Sequence, residues 1–287
     1  MKILGTGLSG LIGSRVVELL SPQYTFANLS LEAGVDITNK DLVNKHIDDS
    51  EAGWVFHFAG ATGVDDCEKD KILGEESPTW RLNVSATEYI VDACKRTNKK
   101  LLYISTDYVF DGTKNEFYED DEPHPLSWYA ITKYEGEKRV SVLGSNALIM
   151  RITSPYRAKN LIKQDFVHRI IAKLTRHERV FSPGDQIFVP TFIDDLAKVI
   201  QKLLELNSSG IYHVVGSQAL SPFESSVKIA QAFNLDTSLI EKVFFAEYFR
   251  NRAPRPFHLK TNNDKITKLG VKMSTFDEGL EIIKNQL

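Results

Sequence analysis

Three side chains between residues 106 and 133 have types and a spacing suited to proton transfer at a carbonyl group. Thr106 ends an apolar run, and Tyr129 and Lys133 follow about two dozen residues later, four positions apart. Because residues four apart share one helix face, a strand end and a helix can bring a hydroxyl, a phenol and an ammonium together. The phenol can protonate a carbonyl oxygen, and a nearby ammonium lowers its pKa from the usual value of about 10. The pattern predicts an oxidoreductase with Thr106, Tyr129 and Lys133 as catalytic residues.

The four-residue spacing from tyrosine to lysine is weak on its own, because Tyr134 and Lys138 repeat it one residue later. Tyr129 is favoured because Ser127 can cap a helix that begins just before it. Taken singly, Tyr129 and Lys133 also fit an exposed pair on a helix, and Thr106 fits a turn at the end of a strand. Taken together, behind a nucleotide-binding loop, they favour a catalytic function.

A glycine-rich segment follows the first apolar run and opens the first helical pattern, with Gly5, Gly7, Gly10 and Gly13 at its turns. Glycines allow a sharp turn and a close approach of the backbone to a pyrophosphate, while the helix N-terminus offers free N–H donors. A tight turn without a ligand is the competing interpretation. The position of the loop between a strand and a helix favours a dinucleotide site.

The residues at the end of the second apolar run do not distinguish NAD(H) from NADP(H) as the cofactor. An acidic residue there selects NAD(H) and an arginine favours NADP(H), but the segment carries Asn28 and Ser30, which tolerate either. Asp36, a little further on, could meet the adenine end of the cofactor. It could equally cap the helix that begins near Lys40.

The elements that must position these residues alternate between short apolar runs and helical patterns, which predicts an α/β fold with a Rossmann-type, doubly wound parallel sheet. We expect residues 1–155 to form the NAD(P)-binding domain. Residues 156–287 are expected to form a smaller α/β lobe that mainly binds substrate, with some segments returning to the main sheet. The predicted strands are Lys2–Gly5, Tyr24–Leu29, Trp54–Phe58, Leu101–Ser105 and Ala147–Arg151, and the helices between them are Leu11–Leu20, Lys40–Ile47, Trp80–Lys95 and Trp128–Val142.

Composition excludes several classes of function. The 287 residues are 42% hydrophobic and 25% charged with a formal net charge of −3, which gives no overall attraction to nucleic acid or an anionic membrane. Cys67 and Cys94 are far apart, and the histidines lack ligand spacing, so neither a disulfide framework nor a metal site is expected. Without a basic-then-apolar leader or a long apolar stretch, the sequence predicts a cytoplasmic protein that binds neither membrane nor nucleic acid.

The chain resembles the extended short-chain dehydrogenase/reductase family, and within it the dTDP-4-dehydrorhamnose reductases. Four segments carry the resemblance, and matches continue into the second lobe. They are T-G-x-x-G-x-x-G at residues 6–13, K-x-x-G-E at residues 133–137, S-T-D-Y-V-F-D-G at residues 105–112, and the stretch at residues 59–65, which is similar to A-A-x-T-x-V-D. The K-x-x-G-E match identifies Tyr129, and not Tyr134, as the family tyrosine.

The resemblance implies hydride transfer from NADPH or NADH to C4 of a nucleotide-linked 4-keto-6-deoxy sugar, with Tyr129 protonating the new alcohol oxygen. It implies a cofactor site that includes Tyr129 and Lys133, and it places Asn83 near the site. The other implied cofactor-binding residues are Gly7, Ser9, Gly10, Leu11, Ile12, Asp36, Ile37, Phe58, Ala59, Gly60 and Ala61, and the implied substrate-binding residues are Thr62, Val64, Asp107, Arg252 and Arg255. The two arginines are chosen because guanidinium groups match a diphosphate.

Alternatives and departures remain. A sugar-nucleotide epimerase or dehydratase of the same family would use NAD⁺, with Asp107 the single acidic residue beside the threonine. A non-catalytic regulatory subunit, like the methionine adenosyltransferase β-subunit, would keep the fold for binding. Gly60, Gly63 and the bulky Trp128 depart from the family pattern and leave the sugar open. A homodimer stays an open alternative to a single chain, and so does a Mg²⁺ ion, which occurs between subunits in some relatives.

Overall fold

Six parallel strands form the central sheet in this computed structural model, which describes residues 1–159 and 164–286. The strand order is β2-β1-β3-β4-β5-β7, and β6 and β8 form a separate parallel pair. The strands are β1 (Lys2–Thr6), β2 (Thr25–Leu29), β3 (Trp54–His57), β4 (Lys100–Thr106), β5 (Ala147–Ile152), β6 (Val180–Pro183), β7 (Gly210–His213) and β8 (Ile240–Val243). The predicted α/β fold with a doubly wound parallel sheet is confirmed, and each end of the first five strands lies within one residue of its predicted position.

Helices cover both faces of this sheet. They are α1 (Leu11–Leu20), α2 (Lys40–Asp48), α3 (Val64–Asp70), α4 (Pro78–Trp80), α5 (Ala86–Arg96), α6 (Trp128–Ser141), α7 (Phe166–Thr175), α8 (Ile193–Glu205), α9 (Pro222–Ala232), α10 (Phe245–Tyr248), α11 (Asp264–Thr267) and α12 (Phe276–Gln286). One apolar core lies between the sheet and α1 and α8, and a second lies between the opposite face and α2, α5 and α6. The strands are accordingly apolar on both faces, as expected for a buried parallel sheet.

The chain reverses direction across the sheet between β1 and β3. From β1 it runs to β2 on one side, and then returns to β3 on the other side of β1. In such sheets a ligand binds outside the carboxyl ends of the strands at this switch point. The glycine loop after β1 and the loop after β3 therefore flank the expected binding crevice.

The helix predicted over residues 80–95 begins earlier and contains a π-helical turn. Arg81–Ser85 joins α4 to α5 in this wider form. A π turn inserts one extra residue into a helix and often occurs at a functional site. Here it contains Asn83, which is buried.

The second lobe is built around aromatic side chains. Tyr156 packs with Phe192 at 5.4 Å and with Phe276 at 5.2 Å between ring centroids. Strand β7 belongs to the second half of the sequence, but it pairs with β5 at the edge of the main sheet. Within the described part of the chain, no helix is both long and apolar enough to cross a membrane.

Candidate active site

A cleft of about 990 Å³ opens at the carboxyl ends of β1, β3 and β4. Its volume is at the upper end for a small-molecule site and suits two nucleotide-sized ligands. The predicted residues that line it are Gly7, Ser9, Gly10, Leu11, Ile12, Phe58, Ala59, Gly60, Ala61, Thr62, Val64, Thr106, Asp107, Tyr129 and Lys133. The fold thus brings together the catalytic candidates and most of the predicted binding residues.

The glycine loop has the geometry that a close ligand requires. Gly7 has φ +68°, and a Cβ there would lie 2.5 Å from the backbone nitrogen of Ala59 and 2.7 Å from the carbonyl carbon of Phe58. The N–H of Gly10 donates to the Gly7 carbonyl at 3.1 Å. Gly10 then begins α1 without a side-chain cap, so the N-terminal N–H groups of this helix are available to an anion. The site therefore fits a dinucleotide diphosphate.

Asn28 ties the second strand to this loop, because its Oδ1 accepts a hydrogen bond from the N–H of Leu8 at 3.3 Å. Asp36 is exposed, and it and Ile37 lie outside the cleft lining formed by the described residues. The suggestion that Asp36 caps α2 is wrong. Asn39 caps it, accepting from Asp41 and Leu42 at 3.0 and 3.2 Å, because it immediately precedes the helix. Asp36 accepts from Thr38.

Tyr129 enters the cleft from the first turn of α6. Ser127 caps that helix as predicted, accepting from the N–H of Ala130 at 3.3 Å. Glu68 adds a second anchor, accepting from the N–H of Trp128 at 2.7 Å. Burial raises the pKa of Tyr129 above its usual range, and a hydrogen bond with Thr106 opposes the increase. The phenol is therefore protonated at neutral pH and can act as an acid.

Lys133 lies one turn further along α6 and is buried. Its Nζ donates to the carbonyl of Ile104 at 2.7 Å. Burial lowers the pKa of this ammonium to about 7, while the charge of Glu137 opposes the decrease. This ammonium is therefore close to the balance between its charged and neutral forms near neutral pH.

Buried polar atoms at the end of β4 lie at the wall of the cleft. The Ser105 Oγ forms no hydrogen bond, and Ser105 and Asp107 both line the cleft. Burial raises the pKa of Asp107 to about 7, and hydrogen bonds with Thr153 and Thr106 oppose the increase. Unpaired polar atoms in a cleft are typically satisfied by water or a ligand, and a polyhydroxylated ligand offers the required partners.

Asn83 holds the loop after β3. Its Oδ1 accepts from the N–H of Ala61 at 2.8 Å, and its Nδ2 donates to the Ala61 carbonyl at 3.1 Å and to Thr132 at 3.0 Å. Thr132 lies on α6 directly before Lys133. The amide therefore couples a cleft-lining loop to the helix that carries Tyr129 and Lys133. Gly60 departs from the family pattern. A Cβ on Gly60 would lie 3.0 Å from the Oδ1 of Asn83, so a larger residue there would crowd this amide.

Two predicted substrate residues and the departing tryptophan lie outside the described lining of the cleft. Arg255 pairs with Asp65 at 2.8 Å and lies 4.7 Å from the Phe249 ring. Arg252 is exposed and lies over Tyr248 at 4.5 Å. Trp128 stacks on Trp80 at 5.7 Å, and its indole N–H donates to Ser77. Arg255 also interacts with Tyr108, which does line the cleft, so this arginine lies directly behind the cleft wall.

Sequence reasoning missed the contribution of α7. Arg169 lines the cleft, and with Lys133 it provides the cationic side chains of the described lining. The start of α7 lies against α1, because Asp165 accepts from the N–H of Arg157 at 3.0 Å and Arg157 donates to Ser14 at 2.7 Å. Only the long-range fold reveals this neighbour, since about 150 residues separate α7 from the glycine loop.

The arrangement supports reduction of a carbonyl group. Within residues 1–159 and 164–286, no group of three or more His, Cys, Asp or Glu side chains could hold a metal ion. A phenol held by Thr106, an adjacent buried lysine and a dinucleotide crevice converge on one space. These parts match the requirements of hydride and proton transfer.

Comparison with known proteins identifies related sequences. The family described as RmlD substrate binding domain matches residues 1–287. A dTDP-4-dehydrorhamnose reductase of Aggregatibacter actinomycetemcomitans is 30% identical, over 99% of this chain and 98% of that protein. The methionine adenosyltransferase 2 subunit beta of Xenopus laevis is 27% identical, over 96% of this chain and 84% of that protein.

A solved structure shares the whole fold. The dTDP-4-dehydrorhamnose reductase of Bacillus anthracis, in complex with NADP, superposes with a TM-score of 0.89 and 29% identity. The match covers 100% of this chain and 99% of that protein. The similarity thus includes both the sheet and the second lobe.

Proposed function

Because the chain belongs to the RmlD substrate binding domain family, we propose that it is an NAD(P)H-dependent reductase of nucleotide-linked 4-keto-6-deoxy sugars, acting in dTDP-L-rhamnose biosynthesis. The observation that carries the proposal is the convergence of Thr106, Tyr129 and Lys133 on a cleft that a glycine loop borders. The similar proteins named dTDP-4-dehydrorhamnose reductase support the choice of substrate.

In this mechanism Tyr129 is the acid. A reduced nicotinamide, when bound in the cleft, would supply the hydride for C4. The hydroxyl of Thr106 and the phenol of Tyr129 bind the carbonyl oxygen, and the phenol proton passes to that oxygen as the alcohol forms. The charge of Lys133 stabilises the phenolate left behind, since an opposite charge nearby favours the ionised form. Solvent then restores the phenol.

We assign the cofactor to the side of the cleft formed by the glycine loop. The α1 N-terminus and Arg169 would hold its diphosphate, while Lys133 would hold the nicotinamide ribose. Residues Phe58 to Ala61, which pack against the loop at Gly7, would continue this wall, and Asp36 and Ile37 would meet the adenine end. The neutral Asn28 at the end of β2 neither repels a 2′-phosphate nor offers a carboxylate to the ribose, so we expect turnover with NADPH and with NADH.

The sugar occupies the side of the cleft that contains Thr62, Val64 and Asp107. The Ser105 hydroxyl, which forms no hydrogen bond in the protein, and the Asp107 carboxyl would form hydrogen bonds with its hydroxyl groups. For the diphosphate we retain Arg252 and Arg255 as candidates. Arg255 would then share its guanidinium between the phosphate and Asp65.

The decisive experiment follows the absorbance of NADPH or NADH after addition of dTDP-4-keto-6-deoxy-L-mannose. We expect a decrease that depends on both enzyme and sugar. A panel of 4-keto sugar nucleotides without any turnover would refute the reductase proposal. The matched inactive control is the Tyr129→Phe protein, which isolates background oxidation of the cofactor.

Two alternatives give different results in the same assay. The similarity to methionine adenosyltransferase β-subunits favours a binding role, which predicts cofactor binding without turnover of any sugar. A dehydratase or epimerase would use Asp107 as its acid and would act on a sugar without net consumption of reduced cofactor. Product analysis by mass spectrometry separates both alternatives from reduction.

We further propose a cytoplasmic protein and a homodimer. Free thiols at Cys67 and Cys94 are consistent with a reducing compartment. Sedimentation equilibrium would establish whether two chains associate.

A further inference from the structure

The K-x-x-G-E segment of α6 surrounds one buried aromatic residue, Tyr103, in the middle of β4. Lys133 lies over the Tyr103 ring, with its Nζ 4.0 Å from the ring centroid. Gly136 faces the phenol of the same side chain, and a Cβ at Gly136 would lie 2.3 Å from the Tyr103 hydroxyl oxygen. Glu137 then anchors the helix to β5 by a double hydrogen bond to Arg151.

These contacts explain why lysine and glycine are three residues apart. The glycine lets α6 approach β4 closely enough for the ring to lie beneath the lysine. The ammonium has three protons to donate, and the Ile104 carbonyl accepts one at 2.7 Å. The negative face of the Tyr103 ring stabilises a cation above it.

We propose that Tyr103 is a positioning residue whose ring face keeps Lys133 charged and in place within the cleft. Lys133 contacts the ring face and not the phenol oxygen, so the ring itself is the functional part. The buried hydroxyl of Tyr103 interacts with Thr87. This inference rests on the proposed function for its catalytic meaning, since the charge on Lys133 serves Tyr129.

Other charged and titratable groups also face this lysine. Glu137 on α6 favours its charged form, but that carboxylate is shared with Arg151. His57 on β3 is fully buried, and burial together with the Lys133 charge lowers its pKa to about 3, so it is neutral. Tyr129 is a protonated phenol. The ring of Tyr103 also stabilises the charged form of Lys133, and a substitution can alter this ring without changing a formal charge.

The test measures the pKa of Lys133 directly. Competitive labelling with acetic anhydride between pH 5 and 11, followed by peptide mass spectrometry, reports the reactivity of each lysine without turnover. We expect Tyr103→Phe to leave the Lys133 pKa unchanged, because the ring remains. We expect Tyr103→Leu to lower it by about one unit, since a desolvated cation–π contact contributes about that much.

Variants with phenylalanine at position 103 that carries one, two or three ring fluorines test the inference even if the leucine variant misfolds. Fluorination weakens the negative ring face with little change of shape, so the Lys133 pKa should fall stepwise. Lys138, an exposed lysine on the same helix, should titrate alike in every variant.

An unchanged Lys133 pKa across the fluorine series would overturn the inference. In the reductase assay, loss of the lysine charge should move the alkaline limb of the kcat/KM profile to lower pH in the same order. Because labelling needs no substrate, a lysine shift in a protein without reductase activity would refute the proposed function and leave the role of the ring intact.

Discussion

At the scale of single residues, the site combines groups whose pKa values burial moves in opposite directions. Burial raises the pKa of the Tyr129 phenol and lowers that of the Lys133 ammonium, so each neutral form becomes easier to populate. In the proposed mechanism, the hydrogen bond with Thr106 and the charge of Lys133 favour ionisation of Tyr129 during the reaction. That mechanism depends on the position of both helix residues.

Replacement of Tyr129 by phenylalanine tests the acid directly. We expect the variant to bind NADPH with nearly the affinity of the unaltered protein, because the ring remains, and to lose kcat by a factor of roughly 10² to 10⁴, the usual contribution of general acid catalysis. Cofactor fluorescence and steady-state kinetics measure the two effects. Tyr134→Phe, at the decoy position, is the control, and an unaltered kcat in the Tyr129 variant would remove this residue from the mechanism.

Replacement of Arg169 by glutamine tests the unpredicted cation of the cleft. If Arg169 holds the cofactor diphosphate, Kd for NADPH should rise roughly tenfold, and the difference should shrink at high salt. Arg176 is the matched control, because it is exposed near the end of the same helix and pairs with Glu178 at 2.6 Å. An increase confined to KM for the sugar nucleotide, or equal effects of both substitutions, would contradict the assignment.

At the scale of elements, α6 is fixed to the sheet by the buried ion pair of Glu137 and Arg151. Their hydrogen bonds measure 2.7 and 2.9 Å, and the guanidinium also lies 5.0 Å from the Phe110 ring centroid. Both side chains are almost completely inaccessible to solvent. The pair aligns the helix that presents Tyr129 with the strand beside β4.

Glu137→Leu should lower the free energy of unfolding by about 3–5 kcal/mol, because it leaves a buried guanidinium without a counter-charge. Adding Arg151→Met should recover much of this loss, since an apolar pair requires no compensation. Urea denaturation measures both. Glu135→Gln breaks only the partly exposed contact with Lys138 and should change stability by less than about 1 kcal/mol; a loss as large as that of Glu137→Leu would argue against the buried-charge explanation.

The sequence predicted the elements that carry the site better than the contacts between them. Strand ends, α1 and the Ser127 cap follow from apolar periodicity, glycine placement and capping chemistry, which are local. The helix α3 and the π turn at residues 81–85 were not predicted, since short polar segments gain their structure from tertiary contacts. Arg169 and the Arg255–Asp65 pair depend on chain segments that meet only in the folded protein. The stacking of Trp128 on Trp80 was not predicted either, because this contact also forms only in the folded protein.

At the scale of the whole molecule, buried groups give folding a definite pH dependence. Burial lowers the pKa of His57 and of His213 to about 3, so both are neutral in the folded protein, whereas the unfolded chain protonates histidine near pH 6.5. These two groups make stability fall as pH decreases below about 6.5. Asp107 acts in the opposite direction between about pH 4 and 7, because the folded protein keeps its proton and the unfolded chain does not.

The two histidines outweigh the single aspartate. We expect the free energy of unfolding to fall between pH 6.5 and 5 by about 1 kcal/mol per pH unit on average, because the unfolded chain approaches one additional bound proton toward pH 5. Urea denaturation at both pH values measures the change. His57→Gln should reduce the slope, whereas substitution of the exposed His124 should not. A stability that is constant over this range would contradict the assigned protonation states.

Strand β7 has a consequence for how such a protein can evolve. The chain leaves the main sheet after β5 and contributes β7 only after passing through part of the second lobe. An exchange of everything beyond residue 155 between two relatives would therefore also replace the edge strand of the recipient's sheet. New sugar specificities are then expected to arise by substitutions around the cleft, or by exchange of shorter segments, and not by transfer of the second half as an independent cassette.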